Sequence, residues 1–293
     1  MTSGVAVVIP AYNADRYLGD ALRSLAAQEL RPDEVVVVDD GSTDGTAALA
    51  EQRGAKLLRQ DRRGPGAARN RGVAATNAPF VAFLDADDWF APGKLAAQVA
   101  ALHRTDAPLV CCDAFLVDDG VVGAAKNRDR GVPERIDFDT LFDGNPVICS
   151  TVLARREELL SVGGFDEDPV LVATEDYDLW LRLAARAPLA YLDAPLAYYR
   201  RHGQGLSANT RFLRGGDRIL DKWLGERGGD DEFARRIRRR RAGVRLDHAW
   251  DLMQAPGTEA EARKWIREAQ QLAFSWKGLR MWLKSHIRPS PRG

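Results

Sequence analysis

Short apolar runs alternate with helical patterns through the first part of this chain, and that alternation narrows the fold before any single residue does. Val5–Ile9, Glu34–Val38, Lys56–Leu58 and Phe80–Leu84 read as strands. Between them, Asp15–Gln28, Thr43–Arg53 and Gly66–Ala75 read as helices. The first of these places Tyr17, Leu18, Ala21, Leu22 and Leu25 at helical spacing. Strands alternating with helices predict an α/β fold, a mostly parallel central sheet flanked by helices. In such a sheet, ligands bind outside the carboxyl ends of the strands. Three of those ends carry polar or special residues: Pro10-Ala11-Tyr12-Asn13, Asp39-Asp40-Gly41-Ser42 and Asp85-Ala86-Asp87-Asp88. Turn formation alone does not account for all three.

The third strand end is the most chemical. Burying unpaired carboxylates is costly, so Asp85, Asp87 and Asp88 are expected at the strand's open mouth. Packed so closely, they repel one another unless a cation holds them. Mg²⁺ and Mn²⁺ take oxygen ligands, often one or two carboxylates plus substrate phosphates. An acidic loop closing a strand is the plainer alternative. At the second strand end, Ser42 or Thr43 can cap a helix. That leaves Asp39 and Asp40 unexplained, and a carboxylate there can accept the ring N–H of uracil or thymine. Gly64-Pro65-Gly66-Ala67-Ala68-Arg69 is a glycine-rich entry into a helix, and helix N-termini and arginine both favour phosphate. Glu175-Asp176-Tyr177-Asp178 opens another helix with three acids, which either stabilise its N-terminus or supply a general base. His202 follows the last strand and is either structural or a metal ligand.

Lys+Arg and Asp+Glu balance at 42 each, so overall charge points to no nucleic-acid partner. Cys111, Cys112 and Cys149 make no disulfide framework and suggest a reducing compartment. The opening apolar run is too short for a signal peptide, and no stretch approaches a transmembrane helix, so a cytoplasmic location is expected. Residues 118–135 read as a mobile loop, and Leu196–Tyr199 as the last strand. From residue 206 the texture changes to long charged helices, giving two expected domains, 1–205 and 206–293. The arginine run 235–241 with Phe233 and Ile237, and the aromatic and cationic segment Trp276–Arg288, could lie against anionic lipid. The alternative, favoured here, is a lid or homodimer face.

Together these motifs resemble family-2 glycosyltransferases of the GT-A fold. The resemblance rests on Val7–Asn13, Val37–Asp44, Gly66–Asn70, Leu84–Asp88, Gly163–Asp166, Glu175-Asp176 and Arg201-His202, in that order, and covers residues 4–205. It implies an inverting transferase that takes a sugar from a nucleotide-diphosphate donor, UDP- or dTDP-linked, to a carbohydrate, lipid-linked or small-molecule acceptor. By motif position, Pro10, Ala11, Tyr12 and Asp40 resemble the nucleoside pocket. Tyr12 would stack on the base and Asp40 would take its N–H. Arg69 would lie near the base or diphosphate, and Asp85 and Ala86 near the ribose. Asp87 and His202 resemble the ligands of a divalent cation, Mn²⁺ or Mg²⁺. Asp176 resembles the catalytic base, with Glu175 shaping its site. A non-catalytic sugar-nucleotide-binding protein and a sugar nucleotidyltransferase remain the competing readings.

Overall fold

The structure, a computed structural model, describes residues 4–202, 211–227, 229–254 and 257–287. It divides into two compact units, Met1–Ala208 and Asn209–Gly293.

The first unit is built on one ten-stranded sheet. Strands β1 (Val5–Ala11), β2 (Glu34–Asp39), β3 (Lys56–Arg59) and β4 (Phe80–Phe83) run parallel in the order β3-β2-β1-β4. Their connections are α1 (Leu18–Ala26), α2 (Thr46–Gln52) and α3 (Pro65–Ala74). β1 is apolar on both faces, as a central parallel strand must be; Val5, Val7 and Ile9 pack with Leu18, Ala21 and Leu25 of α1. α3 lies directly on β1 because Gly72 has no side chain: a Cβ there would stand 2.3 Å from Val8 Cγ1. The sheet continues through the short antiparallel strand β9 (Leu153–Arg155) to β6 (Leu109–Asp118) and its parallel neighbour β10 (Leu189–Arg201). β5 (Trp89–Phe90), β7 (Val121–Ala125) and β8 (Arg135–Ile136) add antiparallel edges. The remaining helices are α4 (Lys94–His103), α5 (Phe138–Asp143), α6 (Arg156–Ser161) and α7 (Glu175–Ala184).

Two sequence expectations are corrected. The segment 118–135 is not one loop: it contains β7 and the start of β8, and Asp119 and Gly120 make the hairpin turn with φ of 47° and 81°. Positive φ at both central residues matches the twist of a tight hairpin, and Asp-Gly is a standard sequence for it. The last strand is also much longer than Leu196–Tyr199. It starts at Leu189 and passes through register shifts around Pro195.

All three cysteines are buried and free. Cys111 and Cys112 flank an unusual neighbour, Lys94, which has no exposed surface. Its ammonium lies 3.9 Å from the Phe90 ring centre and donates to Gln98 Oε1 at 2.7 Å, with no carboxylate to pair it among the described residues. Burial pushes its pKa down to about 8. Between pH 8 and 10.5 the unfolded chain holds this proton and the folded chain does not, so stability rises with pH across that window. Below it the buried charge costs about 3 kcal/mol. K94M is therefore expected to be more stable than wild type at pH 7, by ~1–3 kcal/mol after the lost Gln98 bond. The wild-type advantage on going from pH 7 to 10 should vanish in the variant. Urea titrations of both proteins at the two pH values test this, and a less stable K94M at pH 7 would refute it.

The second unit is helical: α8 (Arg211–Glu226), α9 (Asp231–Leu252), α10 (Glu259–Leu272) and α11 (Trp276–Ile287). Asp230 caps α9 by accepting from the backbone N–H groups of Glu232 and Phe233. Leu246, Ala249, Met253, Ile266, Ala269 and Met281 form its core. Phe233 and Ile237 are buried, so these two side chains are not available to the lipid-contact alternative. Arg241 and Arg245 of that region pair with Asp217 and Asp221.

Candidate active site

Because β1, β2 and β4 are parallel, the three polar strand ends open on one edge. The loops after β1 and β2 are laced together. Asn13, held at φ 47°, accepts from Thr43 N through its side chain, and its own N–H donates to Ser42 Oγ, both at 2.9 Å. Asp39 is spent inside this lacing, accepting from Ser42 N and Arg59 Nε.

Asp40 is 4% exposed and faces the other way. Its Oδ1 accepts from Gln60 Nε2 and Arg63 N, and its Oδ2 from Gly64 N, each at 2.8 Å. A carboxylate has about four acceptor positions, so one remains for a ligand. Pro10 and Ala11 end β1 beside it, and Ala11 O accepts from Asp40 N at 2.8 Å. Tyr12 is 39% exposed, but its ring is covered by the Arg62 guanidinium at 3.9 Å, which also donates to the phenol oxygen. Sequence reasoning missed Arg62. An exposed cation–π contact is worth about 0.5–1 kcal/mol, whereas base stacking on an aromatic ring gives ~1–3 kcal/mol, so a base can displace it.

Arg69 is 4% exposed and does not stand open to phosphate. Its guanidinium bridges Asp85 Oδ1 and Glu175 Oε1, both at 2.6 Å. This bridge joins the mouth of β4 to the start of α7. α3 and the 163–167 turn are fixed together by Asn70, which accepts from Phe165 N and donates to Phe165 O, both at 2.8 Å. Gly66 allows the close approach of α7, since a Cβ would sit 3.2 Å from Glu175 Cγ.

The three acids of α7 separate cleanly. Glu175 is buried, its second oxygen accepting from Ala173 N at 2.7 Å. Asp178 has no exposed surface and pairs with Arg182. Asp176 is partly exposed, and one of its oxygens has no hydrogen-bond donor among the described residues. Burial, then the neighbouring Glu175 charge, push its pKa up to about 7, against the pull of Arg69. The structure thus leaves Asp176 as the acid free to exchange a proton near neutral pH.

At the mouth of β4, Ala86 is buried and Asp88 is wholly so. Asp88 accepts from Ser150 Oγ at 2.6 Å and Arg200 N at 2.9 Å, and Asp85 N donates to the same Ser150 oxygen. Asp88 therefore shapes the turn rather than facing a ligand. Asp87 Oδ2 lies 2.8 Å from His202 Nε2. Burial and the Asp85 charge raise the Asp87 carboxyl above its usual range, while the His202 contact opposes them. The His202 ring stacks on Tyr17 at 5.1 Å, and its buried Nδ1 has no partner among the described residues, so stacking and Asp87 hold its ring. Arg200 braces the turn by donating to Asp87 O and pairing with Asp20. Tyr17, Ser150 and Arg200 were not singled out from sequence; only Arg200, next to the Arg201-His202 motif, carried any signal.

Whether this set fits a metal can be judged from its donors. Asp87 Oδ2 and His202 Nε2 are close enough to be neighbouring ligands of one ion. A cation there would also relieve the mutual repulsion of Asp85, Asp87 and Asp88. Among the described residues there is no cluster of three or more His, Cys, Asp or Glu arranged for a metal. The protein would supply two ligands and leave the rest to phosphate and water, a pattern that Mg²⁺-type ions accept. The residues fit.

Residues 6–163 match the sequence profile of glycosyl transferase family 2. An uncharacterized glycosyltransferase of Rickettsia prowazekii is 29% identical over 233 residues, spanning 75% of this chain and 70% of its own. Among solved structures, Staphylococcus aureus TarS 1–349 in complex with UDP-GlcNAc superposes with a TM-score of 0.63 at 20% identity, covering 98% of this chain and 89% of that one. The mannosyltransferase PcManGT of Pyrobaculum calidifontis, in complex with GDP-Man and Mn²⁺, gives 0.65 at 22%, covering 96% and 79%. These likenesses are of fold.

Proposed function

The chain belongs to glycosyl transferase family 2, and on that premise we propose that it moves a sugar from a UDP- or dTDP-linked donor to an acceptor hydroxyl with inversion. The observation that carries this reading is the Arg69 bridge. It brings the carboxylates at the β4 mouth to the same place as Asp176, the one α7 acid left open.

In this reading Asp40 and Tyr12 hold the nucleoside, with Asp40's remaining acceptor position meeting a ring N–H. Asp176 takes the proton of the acceptor hydroxyl as that oxygen bonds to the anomeric carbon. The bond to the diphosphate breaks on the opposite face, so the centre inverts and no covalent enzyme intermediate forms. A divalent cation, Mn²⁺ or Mg²⁺, held by Asp87 and His202 would neutralise charge on the leaving diphosphate. Glu175 and Asp85 orient the site through Arg69. The nucleotidyltransferase reading differs in its product: release of diphosphate anion instead of a nucleoside diphosphate would favour it. A non-catalytic binding protein would release neither.

Calorimetric titration of UDP, dTDP and GDP with and without Mn²⁺ tests the donor site. UDP is expected to bind tightly only with Mn²⁺. The Mn²⁺-dependent gain should be lost in Asp87→Ala and reduced in His202→Ala, where the phosphates and Asp87 remain as ligands. The PcManGT complex is with a purine donor, GDP-Man, so pyrimidine preference here rests on Asp40 alone. Equal affinity for GDP, or UDP binding indifferent to both Mn²⁺ and Asp87→Ala, contradicts the assignment.

We place the catalytic domain in the first unit and give the helical unit an accessory role, as lid, homodimer face or membrane-surface contact at the cytoplasmic side. No helix among the described residues is long and apolar enough to cross a membrane. The second unit does expose Phe274, Trp276 at 70%, Trp282 and Leu283, on and beside the cationic α11. Sedimentation with anionic and neutral vesicles should separate these roles: pelleting only with anionic vesicles supports the surface contact, and none supports the lid or dimer.

A further inference from the structure

Lys126 is a cation that the fold fixes inside the first unit without giving it a partner. Its backbone N–H donates to Ala114 O at 2.9 Å. The next residue, Asn127, is buried; its N–H donates to both oxygens of Asp113 at 3.1 Å, and its side chain donates to Pro146 O at 3.0 Å. These bonds pin Lys126 where β9, alongside the first half of β6, gives way to β7 alongside the second. The turn before β9 carries Ser150, which binds Asp88 and the backbone of Asp85. Lys126 therefore sits beside the carboxylate-lined mouth.

The Lys126 side chain is partly buried, and among the described residues its ammonium makes no hydrogen bond or ion pair. The charges acting on it are Arg130, which repels, and Asp176, Asp113 and Asp88, which attract. Asp113 is spent on Ala114 N and Asn127 N, and Asp88 on Ser150 and Arg200. Holding a lysine in this setting costs side-chain entropy and hydration, and among the described residues no hydrogen bond or ion pair offsets it. Asp85 is neutralised by Arg69, but Asp87 and Asp176 would repel a negative group that came without a cation of its own. Lys126, with the Arg130 charge nearby, is the counterweight.

We propose that Lys126 receives an anionic substituent, a carboxylate or phosphate, on a sugar that Asp176 serves. This rests on the transferase reading of the site. The charged group can belong to the acceptor or to the donor sugar; the chemistry is the same.

The test uses the full-length protein with Mn²⁺ and pairs of probes differing in one charge. Methyl glucuronide against methyl glucoside, and glucose 6-phosphate against glucose, titrated into the UDP-loaded protein, report an acceptor-side group. UDP-glucuronate against UDP-glucose reports a donor-side group. The charged member of at least one pair should bind about tenfold more tightly, the size of one charge-assisted hydrogen bond. K126M should bring that ratio to about one, K126R should keep most of it, and UDP affinity should not change in either. The idea is overturned if no pair discriminates, if the ratio survives K126M, or if K126M weakens UDP itself, since Lys126 would then serve the diphosphate. Failure of wild type to bind UDP is a different result: it removes the transferase reading, and this proposal with it.

Discussion

Replacing Asp176 with asparagine is expected to lower turnover about 10²–10⁴-fold and to leave UDP and Mn²⁺ affinity unchanged. The amide keeps the shape of the carboxylate, including the acceptor for Tyr177 N at 2.7 Å, but cannot take a proton near neutral pH. The pH profile gives an independent check. With the Asp176 pKa pushed up to about 7, the base form is scarce below that value. The wild-type rate should climb with unit slope through pH 7 and level above it, and the residual rate of the variant should lack that limb. Stability should move the opposite way. A carboxyl whose folded pKa is raised from 3.8 to about 7 binds a proton in the folded chain that the unfolded chain has lost, so it costs stability as pH rises through that range. Asp176→Asn should therefore melt higher than wild type at pH 8. A near-normal rate, or a product with retained configuration by NMR, would overturn the single displacement.

Arg69→Met should cost about 3–5 kcal/mol of stability, because it strands Glu175 and Asp85 without their shared cation. Glu175 is 4% exposed and cannot recover its charge compensation from water. Chemical denaturation measures the loss. In Arg69→Met/Glu175→Gln one of the two stranded charges is gone, so part of the loss should return, and the shortfall from additivity measures the pair. If Arg69→Met loses less than about 1 kcal/mol, the bridge is not what joins β4 to α7. UDP affinity should fall together with stability, since Asp85 is held at the mouth by the same guanidinium.

Much of this was legible from local pattern. The valine-rich β2, the apolar β1 and β4, and the bounds of α11 at Trp276–Ile287 follow from hydrophobic period. The polar strand ends were visible because burying unpaired carboxylates mid-strand is costly, and a parallel sheet gathers such ends on one edge. The β7 hairpin was legible too, in Asp119-Gly120, but the polar composition around it read as a loop. β5 and β8, at two residues each, are too short to carry a period at all.

What only the tertiary structure decided is which of several similar residues is free to act. Glu175 and Asp176 are adjacent and equally acidic; one is consumed by an arginine 106 positions away, and the other is left open. Asp87 and Asp88 divide in the same way, one meeting His202 and the other tied to Ser150 and Arg200. Phe233 and Ile237, beside the arginine run, are core, and Lys94 and Lys126, unremarkable in sequence, are cations with no carboxylate partner among the described residues. The sequence by itself determined the parallel strands β1 to β4, their order of polar ends and the family, because period, propensity and burial cost act over a few residues. The roles within each acidic cluster depend on hydrogen bonds and ion pairs between segments far apart in the chain, and those partners exist only once the chain has folded.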